Sequence, residues 1–217
     1  EARFKKRGIK NDKYTPVGDL ILDSVPKCGS MSEMKAKFGI AEGEDAISFL
    51  PGSRPFEYQN GFAFFSLAAM EVLCRFPQCR VFMPVAPTVD EERLQEGLNR
   101  AGIEWYGDGC VEEIAWNGAG KIKLIRKNTF EAIKASKLAV ALPGTNNLQI
   151  ALLGVPLLMV APLNEAENIP LDGIAGMIPL SVPGAKGLKK RLVLWYSGRE
   201  KLVSLPNRLA WKMIVPE

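Results

Sequence analysis

ALPGTNNLQIALLGVP, residues 141–156, breaks an apolar segment with a Gly, a Thr and two Asn, then resumes it at helical spacing and closes on Gly-Val-Pro. Ahead of the break, Leu138 to Leu142 is an apolar run of strand length; behind it, Leu148, Ile150, Ala151 and Leu152 are spaced as a helix. Pro143 ends the strand, Gly144 lets the backbone turn, Thr145 or Asn146 is placed to cap the helix, and Gly154 stops it. The stretch predicts a strand-to-helix turn, the unit from which parallel α/β sheets are built. The first turn of such a helix presents free N–H groups and about half a positive charge, which suits an anion. An ordinary capped turn in the core is the alternative reading.

Working outward, apolar runs of strand length recur at Ala46 to Leu50, Arg80 to Val85, Ile122 to Ile125 and Leu157 to Ala161, with helical patterns between them. Such alternation predicts an α/β fold with an open, mostly parallel, Rossmann-like sheet and helices on both faces. Thr88 with Glu91 has capping-box spacing, Leu94 and Leu98 stack one turn apart, and Gly102 sits where a helix ends. Asn128 with Glu131 repeats the spacing ahead of Phe130, Ile133 and Ala135, and Gly61 to Phe76 reads as a more buried helix ended by Pro77. Residues 17–217 form the expected domain, preceded by a polar, basic segment or linker at 1–16, while 162–187, rich in Pro and Gly, reads as a long functional loop or an irregular surface connection.

With 217 residues, 47% hydrophobic and 24% charged, the chain can bury a sizeable core. Its 28 basic and 24 acidic residues leave a formal +4, too mild a balance to point to nucleic acid. Basic residues cluster at Lys5, Lys6, Arg7, Lys10 and Lys13 and at Lys186, Lys189, Lys190 and Arg191, which would suit a membrane surface or a phosphorylated ligand, or simply form solvated faces. Cys28, Cys74, Cys79 and Cys110 make no metal-ligand spacing, so no metal is expected, and they read as reduced cytosolic thiols. No apolar run reaches the roughly 18 residues of a membrane span. The expected place is therefore cytoplasmic, with peripheral attachment at the inner face of a membrane where the basic clusters serve one. The chain opens on Glu1 and closes on Ile214-Val215-Pro216-Glu217 without a polar tail, which reads as a portion of a longer protein.

In open parallel sheets ligands bind beyond the carboxyl ends of the strands, and two junctions carry chemistry there. In Leu50-Pro51-Gly52-Ser53-Arg54, Gly52 permits a tight turn, Ser53 offers a hydroxyl and an N–H, and Arg54 supplies a planar fork suited to phosphate. A surface turn with a solvated Arg is the alternative. The second junction is Gly144-Thr145-Asn146 in the opening stretch. No G-x-G-x-x-G follows a strand, and Gly118-Ala119-Gly120-Lys121 lacks the rest of a P-loop. The chain has no His, which excludes Ser-His-Asp and Cys-His chemistry within it. Glu112, Glu113, Glu165 and Glu167 could exchange protons but read as surface charges.

The order LPGSR at 50–54, then IKLIRKNTFEAIKASKLAVALPGTNNLQIALLGVPLLMVAP at 122–162, resembles the C-terminal half of lipid-A-disaccharide synthases and their relatives, nucleotide-sugar glycosyltransferases of the GT-B type. Val17-Gly18-Asp19 with Asp23 is similar to that family's Val-Gly-His/Asn-Pro lead-in, and Ser204-Leu205-Pro206-Asn207 to its Leu-Pro-Asn segment. The resemblance implies two Rossmann-like halves, an N-terminal one holding the acceptor and the catalytic base and a C-terminal one holding a UDP-sugar such as UDP-GlcNAc or a derivative. This chain would be the second: it would bind the nucleotide sugar, need no cofactor, and turn over nothing without its N-terminal partner domain.

By the same resemblance Gly52, Ser53 and Arg54 would approach the diphosphate, supported by Gly144, Thr145 and Asn146. Backbone groups near Ile125, Arg126 and Lys127 would pair with uracil, Gln149 would meet the ribose, and Asn164 and Glu165 the sugar hydroxyls. Transfer would be inverting, with Arg54 and the helix terminus stabilising the departing diphosphate. Two departures stand out: relatives carry Glu where this chain has Gln149, and Ser where it has Pro143. A hydrogen bond to a charged group contributes about 1.5–3 kcal/mol against 0.5–1.5 for a neutral one, so the glutamine leaves open weaker binding, a changed donor or a lost function. A non-catalytic nucleotide-sugar-binding module and a GT-B nucleotide-sugar epimerase are the alternatives.

Overall fold

The computed structural model describes residues 8, 15, 17–53, 55–103, 112–115, 120–161, 184–197 and 204–216. Two short helices, α1 (Leu20–Ser24) and α2 (Met31–Lys37), lead into β1 (Ala46–Leu50), α3 (Pro55–Arg75), β2 (Arg80–Pro84) and α4 (Glu91–Arg100). There follow β3 (Glu113–Ala115), β4 (Lys121–Ile125), α5 (Thr129–Ala135), β5 (Leu138–Ala141), α6 (Asn146–Leu152), β6 (Leu157–Met159), α7 (Ala185–Ser197) and α8 (Leu205–Ala210). The six strands form one sheet in the order β3-β4-β2-β1-β5-β6. All pairs are parallel except β3 with β4, so the expected open, mostly parallel α/β sheet is what the chain builds.

The period of two along each strand sorts side chains onto two covered faces. Phe49, Val81, Met83, Ile122, Leu124 and Val140 meet Phe62, Phe65, Ala69 and Leu73 of α3 and Leu94 and Leu98 of α4 in one core cluster. Leu50, Ala139, Ala141 and Met159 point the other way, to Ile133 of α5 and Ile150 of α6, while Phe82 joins Ala132 and Ala135 on that same side. Helices therefore cover both faces. Between the faces Ser48 and Ser136 are buried as a hydroxyl pair at 2.8 Å, and Ser136 also donates to the Ala132 carbonyl at 3.0 Å, so the polar atoms are satisfied.

Chain order decides where a ligand would go. From β1 the chain steps outward to β2 and then β4, crosses back through α5 to the far side of β1, and continues outward through β5 and β6. That reversal between β1 and β5 opens a crevice at their carboxyl ends, because the connections diverge to opposite sides there.

Several local expectations are corrected. The buried helix starts at Pro55, six residues before Gly61, with proline at the first helical position where its missing N–H costs nothing. Asp90, not Thr88, caps α4, accepting from Arg93 N–H at 2.9 Å. Asn128 precedes α5 in the left-handed region at φ 59 and makes no side-chain cap. The four basic residues of α7 do not form one solvated face either: Lys189 is buried, whereas Lys186 and Arg191 are exposed. The cluster at Lys5 to Lys13 and the stretch 162–183 lie outside the described residues.

Tyr58 is fully buried on α3, and its hydroxyl has no hydrogen-bond partner among the described residues. Burial pushes its pKa well above the usual phenol range, with Arg126 opposing and Glu91 adding to the rise. Tyr58→Phe removes a desolvated hydroxyl while keeping the ring, so it is expected to raise stability by about 1 kcal/mol. A urea midpoint that falls instead would show that the hydroxyl is bonded.

Candidate functional site

A cavity of about 370 Å³ lies in the crevice at the carboxyl ends of β1, β2 and β5. Four segments wall it: Leu50 to Ser53 after β1, Pro84 to Pro87 after β2, Leu142 to Asn146 after β5, and Thr129, Phe130 and Ile133 of α5; Gln149 and Ile150 of α6 complete it. Two of these are the junctions singled out in the sequence. Gly52 and Ser53 thus share one cavity with Gly144, Thr145, Asn146 and Gln149. Arg54, Asn164 and Glu165 lie outside the described residues.

The bend after β1 has a definite geometric cause. Gly52 adopts φ 103, a conformation that L side chains rarely take. Gly61 then lets α3 pass directly against it: a Cβ there would stand 2.5 Å from the Pro51 carbonyl oxygen and 2.8 Å from Leu142 Cδ1. Since Pro55 is the first residue of α3, the N-terminus of a 21-residue helix adjoins the Gly52–Ser53 bend on the cavity rim. Thr88 fastens the neighbouring junction, donating its hydroxyl to the Ser53 carbonyl at 2.7 Å, while Arg93 donates to the Thr88 carbonyl at 3.1 Å.

The second junction differs from its expected capping. Thr145 is the residue before α6, but it is helical in backbone (φ −64, ψ −28) and makes no side-chain cap. Asn147 does the work instead: fully buried, its Oδ1 accepts from Gly144 N–H at 2.7 Å. The Gly144 amide is therefore already satisfied within the turn, whereas the N–H groups of Thr145 and Asn146 at the helix start have no hydrogen-bond partner among the described residues.

Ile125, Arg126 and Lys127 do not join the cavity wall. The Ile125 carbonyl accepts from Val85 N–H at 2.9 Å, its side chain is buried among Ala46, Phe82 and Ala132, and the Arg126 guanidinium is paired with Glu91 at the start of α4. The next turn of chain, carrying Thr129 and Phe130, reaches the cavity instead. Sequence reasoning also missed Pro84 to Pro87, an apolar third wall; the rule that ligands sit beyond strand carboxyl ends was the available signal.

No carboxylate lines the cavity among the described residues, which suits an anion better than a cation. Its polar groups are the hydroxyls of Ser53, Thr129 and Thr145 and the carboxamides of Asn146 and Gln149, over an apolar floor of Leu50, Phe130, Ile133, Leu142 and Ile150. Candidate nucleophiles and acids lie elsewhere. Burial pushes the Cys28 thiol up, with Glu131 adding, and burial likewise raises Cys79, with Asp45 adding; both stay protonated. Glu113 is committed to Lys121 at 2.8 Å, a hydrogen bond that holds its carboxyl below the usual range. Among the described residues no three His, Cys, Asp or Glu side chains gather to hold a metal, and no helix is long and apolar enough to cross a membrane.

No protein-family model matches the chain. It is similar to the lipid-A-disaccharide synthase of Syntrophus aciditrophicus, 31% identical over 160 residues that cover 74% of this chain and 37% of that protein. To the lipid-A-disaccharide synthase of Synechocystis sp. it is 29% identical over 168 residues, covering 75% and 38% respectively. The match to that of Myxococcus xanthus takes in 100% of the chain and 45% of the relative, at 23% identity over 221 residues. The chain thus spans less than half the length of each of these relatives.

Proposed function

Because the chain belongs to a lipid-A-disaccharide synthase-like family, we propose that its cavity holds the UDP-sugar donor of a glycosyl transfer. One observation carries the reading: the Gly52–Ser53 bend and the Gly144–Asn146 turn that opens α6, far apart in the chain, meet in one cavity at the reversal of strand order, and no carboxylate lines that cavity among the described residues. The diphosphate lies between the N-terminus of α3 and the amides of Thr145 and Asn146, which have no hydrogen-bond partner among the described residues, and Arg54, which lies outside those residues, is assigned to it on its chemistry alone. Gln149 meets the ribose hydroxyls. Uracil rests toward Thr129 and Phe130; Asn164 and Glu165, outside the described residues, are assigned to the sugar hydroxyls by the resemblance alone.

In the transfer, an acceptor hydroxyl attacks the anomeric carbon while its bond to the diphosphate oxygen breaks, inverting that centre. Negative charge grows on the departing UDP, so donors aimed at it stabilise the transition state more than the bound substrate. The hydroxyl's proton passes to a base outside this chain, in a partner domain that also carries the acceptor; a membrane surface is where a lipid-linked acceptor would be met. Alone, the chain binds donor and transfers nothing.

UDP and UDP-GlcNAc should raise the melting temperature where NAD does not, since a ligand at 100 times its Kd adds about 2.7 kcal/mol. Arg54→Ala is expected to remove most of that response. If the response survives intact, the guanidinium has no part in binding diphosphate; if UDP never produces one, the nucleotide reading fails.

A further inference from the structure

Gln149 lines the cavity, and its Nε2 donates to Ser24 Oγ of α1 at 3.1 Å, across 125 positions of chain. Ser24 Oγ donates in turn to the Ile21 carbonyl at 2.7 Å. A serine hydroxyl owns one proton. With that proton on Ile21, Oγ presents only lone pairs to residue 149: it accepts from a donor there and repels an acceptor. The orientation of the carboxamide follows, NH2 toward Ser24, with Oε1 left as an acceptor that has no partner among the described residues. Helix α1 is held in place to do this. Asp19 caps it by accepting Ile21 N–H at 3.0 Å, and Val25 and Cys28 just beyond it pack against the cluster that contains Ile150.

We infer that Ser24 is a positioning residue that sets the hydrogen-bonding polarity of Gln149, making the cavity selective for a ligand that presents hydroxyl donors at this point, as an intact ribose 2′,3′-diol does. The inference rests on the nucleotide reading above and deepens it. A carboxylate at position 149 would also accept such hydroxyls, but it would face the Ser24 lone pairs unless Ser24 released Ile21. Glutamine here is a different solution to the same recognition problem, and Ser24 is what makes it work.

The test titrates UDP, 2′,3′-dideoxy-UDP and inorganic pyrophosphate into the protein and its S24A, Q149E and S24A/Q149E variants by calorimetry. The Gln149 side-chain NH2 resonances are followed without ligand. S24A is expected to weaken UDP about two- to tenfold, the range of one neutral hydrogen bond. It should leave pyrophosphate binding unchanged and shrink the preference for UDP over the dideoxy analogue. Q149E alone should weaken UDP, and the double variant should regain affinity because the lone-pair conflict is gone. In S24A the NH2 pair should move toward free-amide shifts. Equal UDP affinity in S24A and wild type, or a double variant weaker than Q149E, overturns the ligand preference; unmoved NH2 resonances overturn the role of Ser24. Failure of the wild type to bind UDP overturns the nucleotide reading and the ligand preference with it, while the NH2 resonances still decide whether Ser24 orients Gln149.

Discussion

Gly61→Ala is expected to lower the unfolding free energy by about 1–2 kcal/mol and to blunt the response to UDP, although alanine is the better helix former. In an open helix interior the exchange gains about 1 kcal/mol. At Gly61 the new methyl would press on the Pro51 carbonyl and on Leu142, at 2.5 Å and 2.8 Å. Neither gives way easily: the carbonyl belongs to the backbone bend that Gly52 holds at φ 103, and Leu142 is 9% exposed at the end of β5. Overpacking of this kind costs about 1–3 kcal/mol and reverses the sign. Because Pro51 and Leu142 both line the cavity, the strain falls on the proposed diphosphate site as well as on the fold. Gly187 in α7 is the internal control, since a Cβ there meets nothing within 4 Å, and Gly187→Ala should stabilise by up to about 1 kcal/mol. Urea titrations of the two variants in parallel decide the matter: if both gain stability, the close approach of α3 to the bend is not a packing constraint.

How much of this was legible beforehand follows from where the information sits in the chain. The strand at Ala46–Leu50 could be read to the residue because both its faces are covered and nearly every position is apolar. The edge strand Glu113–Ala115 gave no such signal: only Ile114 is buried, and its pairing with β4 creates it. Spacing suggested that Thr88 caps a helix, but the helix starts only at Glu91 with Asp90 as its cap, and Thr88, two residues earlier, bonds instead to Ser53, 35 positions away. The two polar junctions of the cavity were visible because Gly, Ser and Thr at strand ends carry a physical meaning. Pro84 to Pro87 are apolar and say nothing about ligands until the sheet brings them beside Ser53. Nor does any local pattern connect Ser24 with Gln149; only the folded chain sets one residue's proton against the other's lone pairs.

Asn207→Ala is expected to cost about 3 kcal/mol or more, a larger loss than from any surface substitution. The side chain is fully buried in α8 and is bonded at both ends of its amide. Its Nδ2 donates to the Val215 carbonyl at 2.8 Å, and its Oδ1 accepts from Ile214 and Val215 N–H at 2.7 Å and 2.8 Å. Truncation leaves these peptide groups without the partner that satisfies them, each at about 1–3 kcal/mol. The segment so tied has two further attachments: the Pro216 carbonyl accepts from Met159 N–H at 2.9 Å along β6, and Val215 packs in the cluster that also holds Ile150. Loss of Asn207 therefore loosens α6 from below, and with it the amides of Thr145 and Asn146. Asn207→Asp keeps both acceptor sites but turns a carboxylate toward the Val215 carbonyl in a buried place, so at neutral pH it should rescue little. Hydrogen exchange at Met159 N–H reads the release locally, and urea unfolding reads it globally. A variant that loses under 1 kcal/mol and keeps Met159 protected would mean that the C-terminal segment is held by Val215 packing and the Met159–Pro216 bond without help from Asn207.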